Sequence, residues 1–379
     1  MSNWKELSDR LESMMEECAR EDTRNFAGEI PVIQPAYSDF YFGLWPDDYY
    51  FPVKICPRLL SDETAEKLFS FLTEHVAGQE VLPDRVEESG HCVFQPGLEN
   101  SPHGRLMPMH LPAAWARLVT YLYERTGSVA ERNAWAGIFA RSFERVRFEN
   151  GLPYLADDEF QVGFGFFDTV GLQGNDLMSA VVLKRGYERA AELFQEVLPA
   201  QKISAWRSAA ASIAEHHERL LSPEGWFFSD SAGCRQFSAW PNGLIYGEKY
   251  LSAKAKEGIR TKIWAERDTL IIRGMTRQNA DRCWRQMNPI WTSPTGIYMD
   301  GGFWAVGTGY ILRCLADTDE KFARRTVEEM IDNLAKLDCP EWIDADAGRT
   351  GGKKFMMSLA IPLGAVRAIE GNTELIELF

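Results

Sequence analysis

The chain has 379 residues, 45% hydrophobic and 25% charged, a balance that excludes an intrinsically disordered protein and supplies apolar surface for a full core. Its formal net charge is -14 and its Lys and Arg are dispersed, which excludes the clustered cations of a nucleic-acid binder or a membrane-surface protein. Length alone fits either two average domains or one large one.

The opening MSNWKELSDRLESMMEECARED reads as a helix over 2–23 and has no apolar core of signal-peptide length; no run of about 18 apolar residues occurs later. A cytoplasmic protein without a membrane partner is the expectation. Further helices are predicted over 46–57, 62–76, 111–126, 131–149, 176–196, 201–221, 246–265, 277–286, 302–316, 319–337 and 356–370. The signal is apolar residues at steps of three and four: Leu183, Tyr187, Ala190 and Phe194; then Ile203, Trp206, Ala210, Ile213, His217 and Leu220; then Val327, Met330, Ile331 and Leu334. Alternating strand patterns are few and short.

The connections alternate in length. Those at 24–45, 77–110, 150–175, 222–245, 287–301 and 338–355 are long, whereas 58–61, 127–130 and 197–200 are very short. Short links make antiparallel hairpins, so the long loops emerge on one side. Six hairpins closed into a ring predict an all-α fold, an (α/α)6 barrel, with one mouth. A helical solenoid is the competitor, but the hairpins share no repeat and their loops are too unequal. No linker composition divides the chain, so residues 1–379 read as a single domain.

The long loops gather aromatics, glycines and carboxylates. The first leads through Tyr41, Phe42 and Gly43 to Trp45, Asp47 and Asp48, an aromatic crowd suited to the C–H faces of a pyranose beside acids suited to its hydroxyls; favouring a helix dipole is the other role open to the two acids. The second holds His91 and His103. In the third, Asp168 lies among Phe164, Phe166 and Phe167, where desolvation raises a carboxyl pKa and suits it to deliver a proton near neutrality; a helix cap or a hydrogen-bonded structural Asp is its alternative. The fourth contributes Trp226, Asp230, Trp240, Pro241 and Asn242, while His216 and His217 sit in a helical stripe where packing is expected. The fifth, Trp291 to Trp304, sets Tyr298, Asp300 and Trp304 around Gly301 and Gly302, which would let a ligand approach the backbone, a packing turn being the alternative. In the sixth, Glu341 beside Trp342 precedes small and polar residues, which would leave it solvated and ionised as a base for water; the competing account is a surface acidic loop. Seven scattered cysteines without CxxC spacing suggest neither a disulfide framework nor zinc, and Asp344 with Asp346 are too few for calcium.

With these loops read, the chain resembles the six-hairpin glycosidases, in particular the group comprising glycoside hydrolase family 63, trehalase and the glycogen-debranching C-terminal domains. The likeness spans nearly the whole chain and is strongest from about residue 147. Asn150-Gly151-Leu152-Pro153, then Phe167-Asp168-Thr169 and the helix from Asp176, is similar to the segment that bears the family's proton donor, which maps onto Asp168. Glu341-Trp342 followed by Gly351-Gly352-Lys353-Lys354-Phe355-Met356-Met357-Ser358 is similar to the segment of the catalytic base, which maps onto Glu341; Met357 stands where the family commonly has Trp. Tyr298 to Trp304 resembles the sugar-binding motif, with Asp300 where Asn is usual.

The resemblance implies an inverting glycoside hydrolase without metal or organic cofactor, with Asp168 as general acid and Glu341 as general base. The expected substrate-binding residues are Trp45, Asp47, Asp48, Phe166, Trp240, Tyr298, Asp300, Trp304 and Trp342. The expected partner is a small soluble glycoside or oligosaccharide, α-linked glucosides and mannosides included; a homo-oligomer stays open. Three alternatives share the barrel. A sugar 2-epimerase needs paired histidines, and none follows His217; an unsaturated-uronide hydrolase needs basic residues, for which Arg235, Lys249, Arg273, Arg349 and Lys353 are available; a carbohydrate-binding barrel would have lost turnover.

Overall fold

A computed structural model describes residues 2–37, 42–95, 108–155, 162–288 and 292–379. Tyr41, His103 and Trp291 lie outside the described residues. Among the described residues there are twelve α-helices: α1 (Trp4–Glu21), α2 (Pro46–Ile55), α3 (Asp62–Val76), α4 (Leu111–Thr126), α5 (Val129–Glu144), α6 (Leu177–Phe194), α7 (Ala200–His216), α8 (Ala239–Tyr246), α9 (Ala253–Leu270), α10 (Ala305–Thr318), α11 (Glu320–Lys336) and α12 (Met357–Glu370). The even-numbered helices pack in sequence, α2 on α4, α4 on α6, α6 on α8, α8 on α10, α10 on α12, and α12 back on α2. That closed inner ring, wrapped by the odd-numbered helices, is an (α/α)6 barrel.

Residue patterns explain which helix lies where. In α10 every residue from Ala305 to Leu312 is buried, as a helix surrounded by neighbours requires. In α11 only the stripe Ala323, Thr326, Val327, Met330, Ile331 and Leu334 is buried, as befits a helix with one face to solvent. Side chains of Asn3, Ser61, Asp176, Ser252 and Asp319 cap their helices, satisfying amides that the first turn leaves free.

The inner ring is tight because small residues stand at the helix crossings. A Cβ added to Gly243 of α8 would lie 2.6 Å from the Tyr310 carbonyl oxygen of α10, and one at Gly186 of α6 would collide with the Ala113 Cβ of α4. Backbone cannot yield as a flexible side chain does. Gly243→Ala is therefore expected to cost about 1–3 kcal/mol through overpacking, read as a lowered urea midpoint, while Gly78→Ala, which meets open space, serves as the neutral control. Equal midpoints for the two variants would refute this account of the ring.

Each inner helix follows a long loop, so all six inner N-termini point to one end. There, short strands stitch the loops: β1 (Thr23–Phe26) with β2 (Ile30–Ile33), β3 (Gly43–Leu44) with β4 (Arg85–Glu87) and β5 (Cys92–Val93), β6 (Phe148–Glu149) with β7 (Leu152–Leu155) and β8 (Gly174–Asn175), and β9 (Ile271–Ile272) with β10 (Met275–Thr276), all antiparallel. At the other end the links are short, down to Asp319 alone between α10 and α11. Phe379 closes that end, its ring 4.7 Å from Phe51 and 6.0 Å from Tyr310.

Three expected elements are corrected. Residues 277–286 form no helix: Trp284 N–H donates to Asp300 Oδ1 at 2.7 Å and Arg285 N–H to Gln236 Oε1 at 2.6 Å, so side chains take amides that a helix would use. Helix α8 begins at Ala239, inside an expected loop, because Pro241 falls in the first turn, where a missing amide hydrogen costs nothing. The helix predicted over 131–149 stops at Glu144, and Asn150-Gly151, both at positive φ, turn a tight hairpin between β6 and β7.

Candidate active site

The mouth loops set acids around one opening at the positive ends of the inner helices. Asp168 ends a short 3-10 turn, Gly165–Phe167, and is 6% exposed. Beneath it, buried Phe167 packs against Trp240 and Trp284. Tyr298 Oη donates to Asp168 Oδ2 at 3.1 Å, and Asn288 Nδ2 donates to the Asp168 carbonyl at 3.2 Å. Oδ1 is buried with no hydrogen-bond partner among the described residues. Burial pushes the carboxyl up to about 8; hydrogen bonds from Tyr298 and the Thr169 backbone oppose that rise, and the charges of Glu341 and Asp84 add to it.

Glu341 is buried, not solvated as its small and polar neighbours suggested. The reason is a fold-back: Glu341 N–H donates to the Gly352 carbonyl at 2.7 Å and Gly351 N–H to the Trp342 carbonyl at 2.9 Å, which lays Gly351 against the Trp342 indole. Ser358 Oγ, at the start of α12, donates to the Pro340 carbonyl at 2.8 Å and anchors the residue before the acid. The charge of Glu341 acts on both Asp168 and Asp48, so the third and sixth loops bring their carboxylates into one electrostatic neighbourhood.

Asp48 shares that neighbourhood. Its Oδ1 is buried without a partner among the described residues, and burial foremost, with Asp47, Glu341 and Asp84 adding, raises its carboxyl well above the usual carboxylate range. Asp84 is an acid that sequence reasoning missed. It accepts from Trp45 Nε1 at 2.9 Å, and burial lifts it to about 7 despite adjacent Arg85. Arg85 in turn stacks over the Trp45 and Phe42 rings, at 5.2 and 5.5 Å. Nothing local in Pro83-Asp84-Arg85 announces this role, because only the β3–β4 pairing brings it to Trp45.

The remaining expected residues separate by depth. Trp45, Phe166, Tyr298 and Trp342 each keep part of their surface exposed, so rings are available at the mouth. Trp240 and Trp304 are fully buried and form a floor: Trp240 seats on Gly307, and Trp304 carries Phe166 and Tyr298. Asp47 lies deeper, ion-paired with buried Arg117 and 3.7 Å from His110 Nε2. Asp300 is engaged on both oxygens, by Trp284 N–H and by Thr295 Oγ1 at 3.0 Å, and so clamps its loop. Gly301 and Gly302 face protein: a Cβ at either would strike the Arg282 or Tyr298 carbonyl oxygen.

In the fourth loop, Asp230 accepts from the amides of Gln173, Cys234 and Arg235, and Asn242 ties Phe227 to α8. His216 and His217 cap local carbonyls of Ser212 and Ala214, a packing role. Among the described residues, Glu12, Glu16 and Cys56 are the side chains near enough to converge on a metal ion, but they lie at the end opposite the mouth, and Arg58 and Arg367 pair with the acids. Among the described residues no helix is long and apolar enough to cross a membrane.

A carboxyl that retains its proton near neutrality, in the field of a second acid and near partly exposed rings, can donate a proton to a bound molecule. No protein-family model matches the chain, and no curated protein matches it. Solved structures do. The mannosylglycerate hydrolase of glycoside hydrolase family 63 from Thermus thermophilus, in complex with glucose, is 14% identical over 93% of this chain and 99% of that chain, with a TM-score of 0.60. A wild-type glycosidase is 13% identical over 98% and 99%, at 0.62, and a point variant of a glycosidase is 14% identical over 98% and 99%, at 0.65. The likeness is one of fold, over almost the full length of each chain.

Proposed function

We propose that this protein is an inverting glycoside hydrolase, with Asp168 as general acid and Glu341 as general base. In the step envisaged, Glu341 takes a proton from water, the water oxygen bonds to the anomeric carbon, the glycosidic C–O bond breaks, and Asp168 passes its proton to the departing oxygen. The product sugar leaves with inverted configuration, and exchange with solvent restores both acids. The observation that carries this reading is the buried Asp168 carboxyl, raised to about 8 and within the field of Glu341. Trp45, Phe166, Tyr298 and Trp342 supply rings for sugar faces; Asp48 and Asp84 supply carboxyl groups for hydroxyls. Trp240, Trp304, Asp47 and Asp300 act beneath them by holding the mouth in shape.

The similarity to a mannosylglycerate hydrolase supports a small soluble glycoside, with a sugar joined to a hydroxy acid among the candidates. The test is incubation with α-glucosides, α-mannosides including mannosylglycerate, and unsaturated uronides, followed by proton NMR of the first anomer released. Release of the β-anomer from an α-glycoside is expected. Initial release of the α-anomer would sink the inverting mechanism, and binding without product would favour a carbohydrate-binding barrel.

A further inference from the structure

The segment from Thr295 to Trp304 has the composition of a ligand site, yet its chemistry is directed at the protein itself. Tyr298 holds a left-handed backbone, φ +47, a conformation costly for a residue with a side chain and kept only where surroundings enforce it. The enforcement is visible. The Tyr298 carbonyl accepts from Trp304 Nε1 at 3.2 Å and from Gly302 N–H at 3.0 Å. Asp300 holds the loop from both oxygens, and Gly296 N–H donates to the Asp300 carbonyl at 2.6 Å. Gly302 passes so close that a Cβ there would lie 2.5 Å from Tyr298 O and 2.8 Å from its N. All this fixes one phenol, whose ring leans on Trp304 with centroids 5.4 Å apart and whose hydroxyl meets Asp168 Oδ2.

We infer that Tyr298 is a positioning residue for the acid: by donating to Oδ2 it leaves Oδ1 as the oxygen that bears the transferable proton and turns that proton toward the bound glycoside. This inference rests on the proposed role of Asp168. A carboxylic acid carries its proton on one oxygen. With Oδ2 committed as an acceptor from Tyr298, the proton occupies Oδ1, the oxygen with no partner among the described residues. The same hydrogen bond favours the ionised form and, with a smaller contribution from the Thr169 amide, tempers the effects of burial and of the Glu341 and Asp84 charges, which keeps the acid able to release its proton. Strain in the loop thereby becomes orientation at the acid.

The test is Tyr298→Phe, which keeps the ring, checked for folding by its melting curve. Toward alkyl glycosides kcat is expected to fall about 10–100-fold, and the alkaline limb of kcat/KM is expected to move to higher pH, because the ionised acid loses a donor. With α-glucosyl or α-mannosyl fluoride, whose leaving group needs little protonation, the loss is expected to shrink to within about threefold, since the acid's contribution is no longer required. Incorporation of 3-fluorotyrosine at position 298, a more acidic donor, is expected to move the limb the other way. An equal loss on both substrate types with an unmoved limb would make Tyr298 a simple substrate contact and overturn the inference. The proposed function fails separately: it falls if Asp168→Asn keeps full activity on alkyl glycosides, whatever Tyr298→Phe does.

Discussion

Asp168→Asn is expected to abolish hydrolysis of alkyl glycosides, by about a thousandfold or more, and at the same time to make the protein more stable at neutral pH. The second effect follows from the raised pKa. In the unfolded chain an Asp ionises near 4, whereas in the barrel it does so at about 8. Between those values the folded state retains a proton that the unfolded state has lost, so stability falls as pH rises from about 4 to 8 and is level on either side. Asn carries no such proton. The gain from the substitution should be nil near pH 4 and largest above pH 8, on the order of a few kcal/mol. Melting temperatures of both proteins at pH 4, 7 and 9 measure it; a variant less stable than the parent at pH 9 would contradict the burial of an ionisable Asp168. Glu341→Gln is expected to match the loss of turnover.

The largest effect on stability is expected from Asp47→Ala. Arg117 is fully buried in the barrel, its guanidinium 5.1 Å from the Phe379 ring centroid and 5.5 Å from that of Phe51, and Asp47 is the carboxylate paired with it. Neighbouring His110 gives no relief, because burial pushes it down to about 4 and leaves it neutral. Removing Asp47 strands a cation in apolar surroundings, at a cost of about 3–5 kcal/mol. Pairing the change with Arg117→Met removes the stranded charge along with its partner, and most of the stability should return. Urea denaturation of the two single variants and the double variant tests the coupling. If the losses simply add, Asp47 and Arg117 are not an energetically coupled pair.

Much of the fold is legible in the sequence. Helices α3 and α4 match the expected 62–76 and 111–126 because each combines an apolar stripe with a clear boundary, Ser61 before one and Gly127 after the other. The alternation of loop lengths carried the barrel, since it depends on chain topology and not on any one boundary. The illegible parts all depend on side chains that meet across long separations. Residues 277–286 have helical periodicity, but Gln236 and Asp300 claim their amides. Trp240 carries the same aromatic signal as Trp45, and only packing against Gly307 buries one while Trp45, beside Asp84, keeps an exposed face. Asp47 and Asp48 are adjacent in sequence but successive on a helix, so one turns to Arg117 and the other toward Glu341 and Asp84.

The inner ring closes through contacts among α2, α4, α6, α8, α10 and α12, and none of those contacts is made by a mouth loop. The contacts that close the ring thus come from the inner helices, while Asp168 and Glu341 come from the loops that precede two of them, α6 and α12. The third, fifth and sixth loops carry Asp168, Tyr298 and Glu341, so the placement of the acids depends on those loops, whereas the ring contacts do not. A change within a mouth loop can therefore alter what meets Asp168 and Glu341 without breaking a contact of the ring.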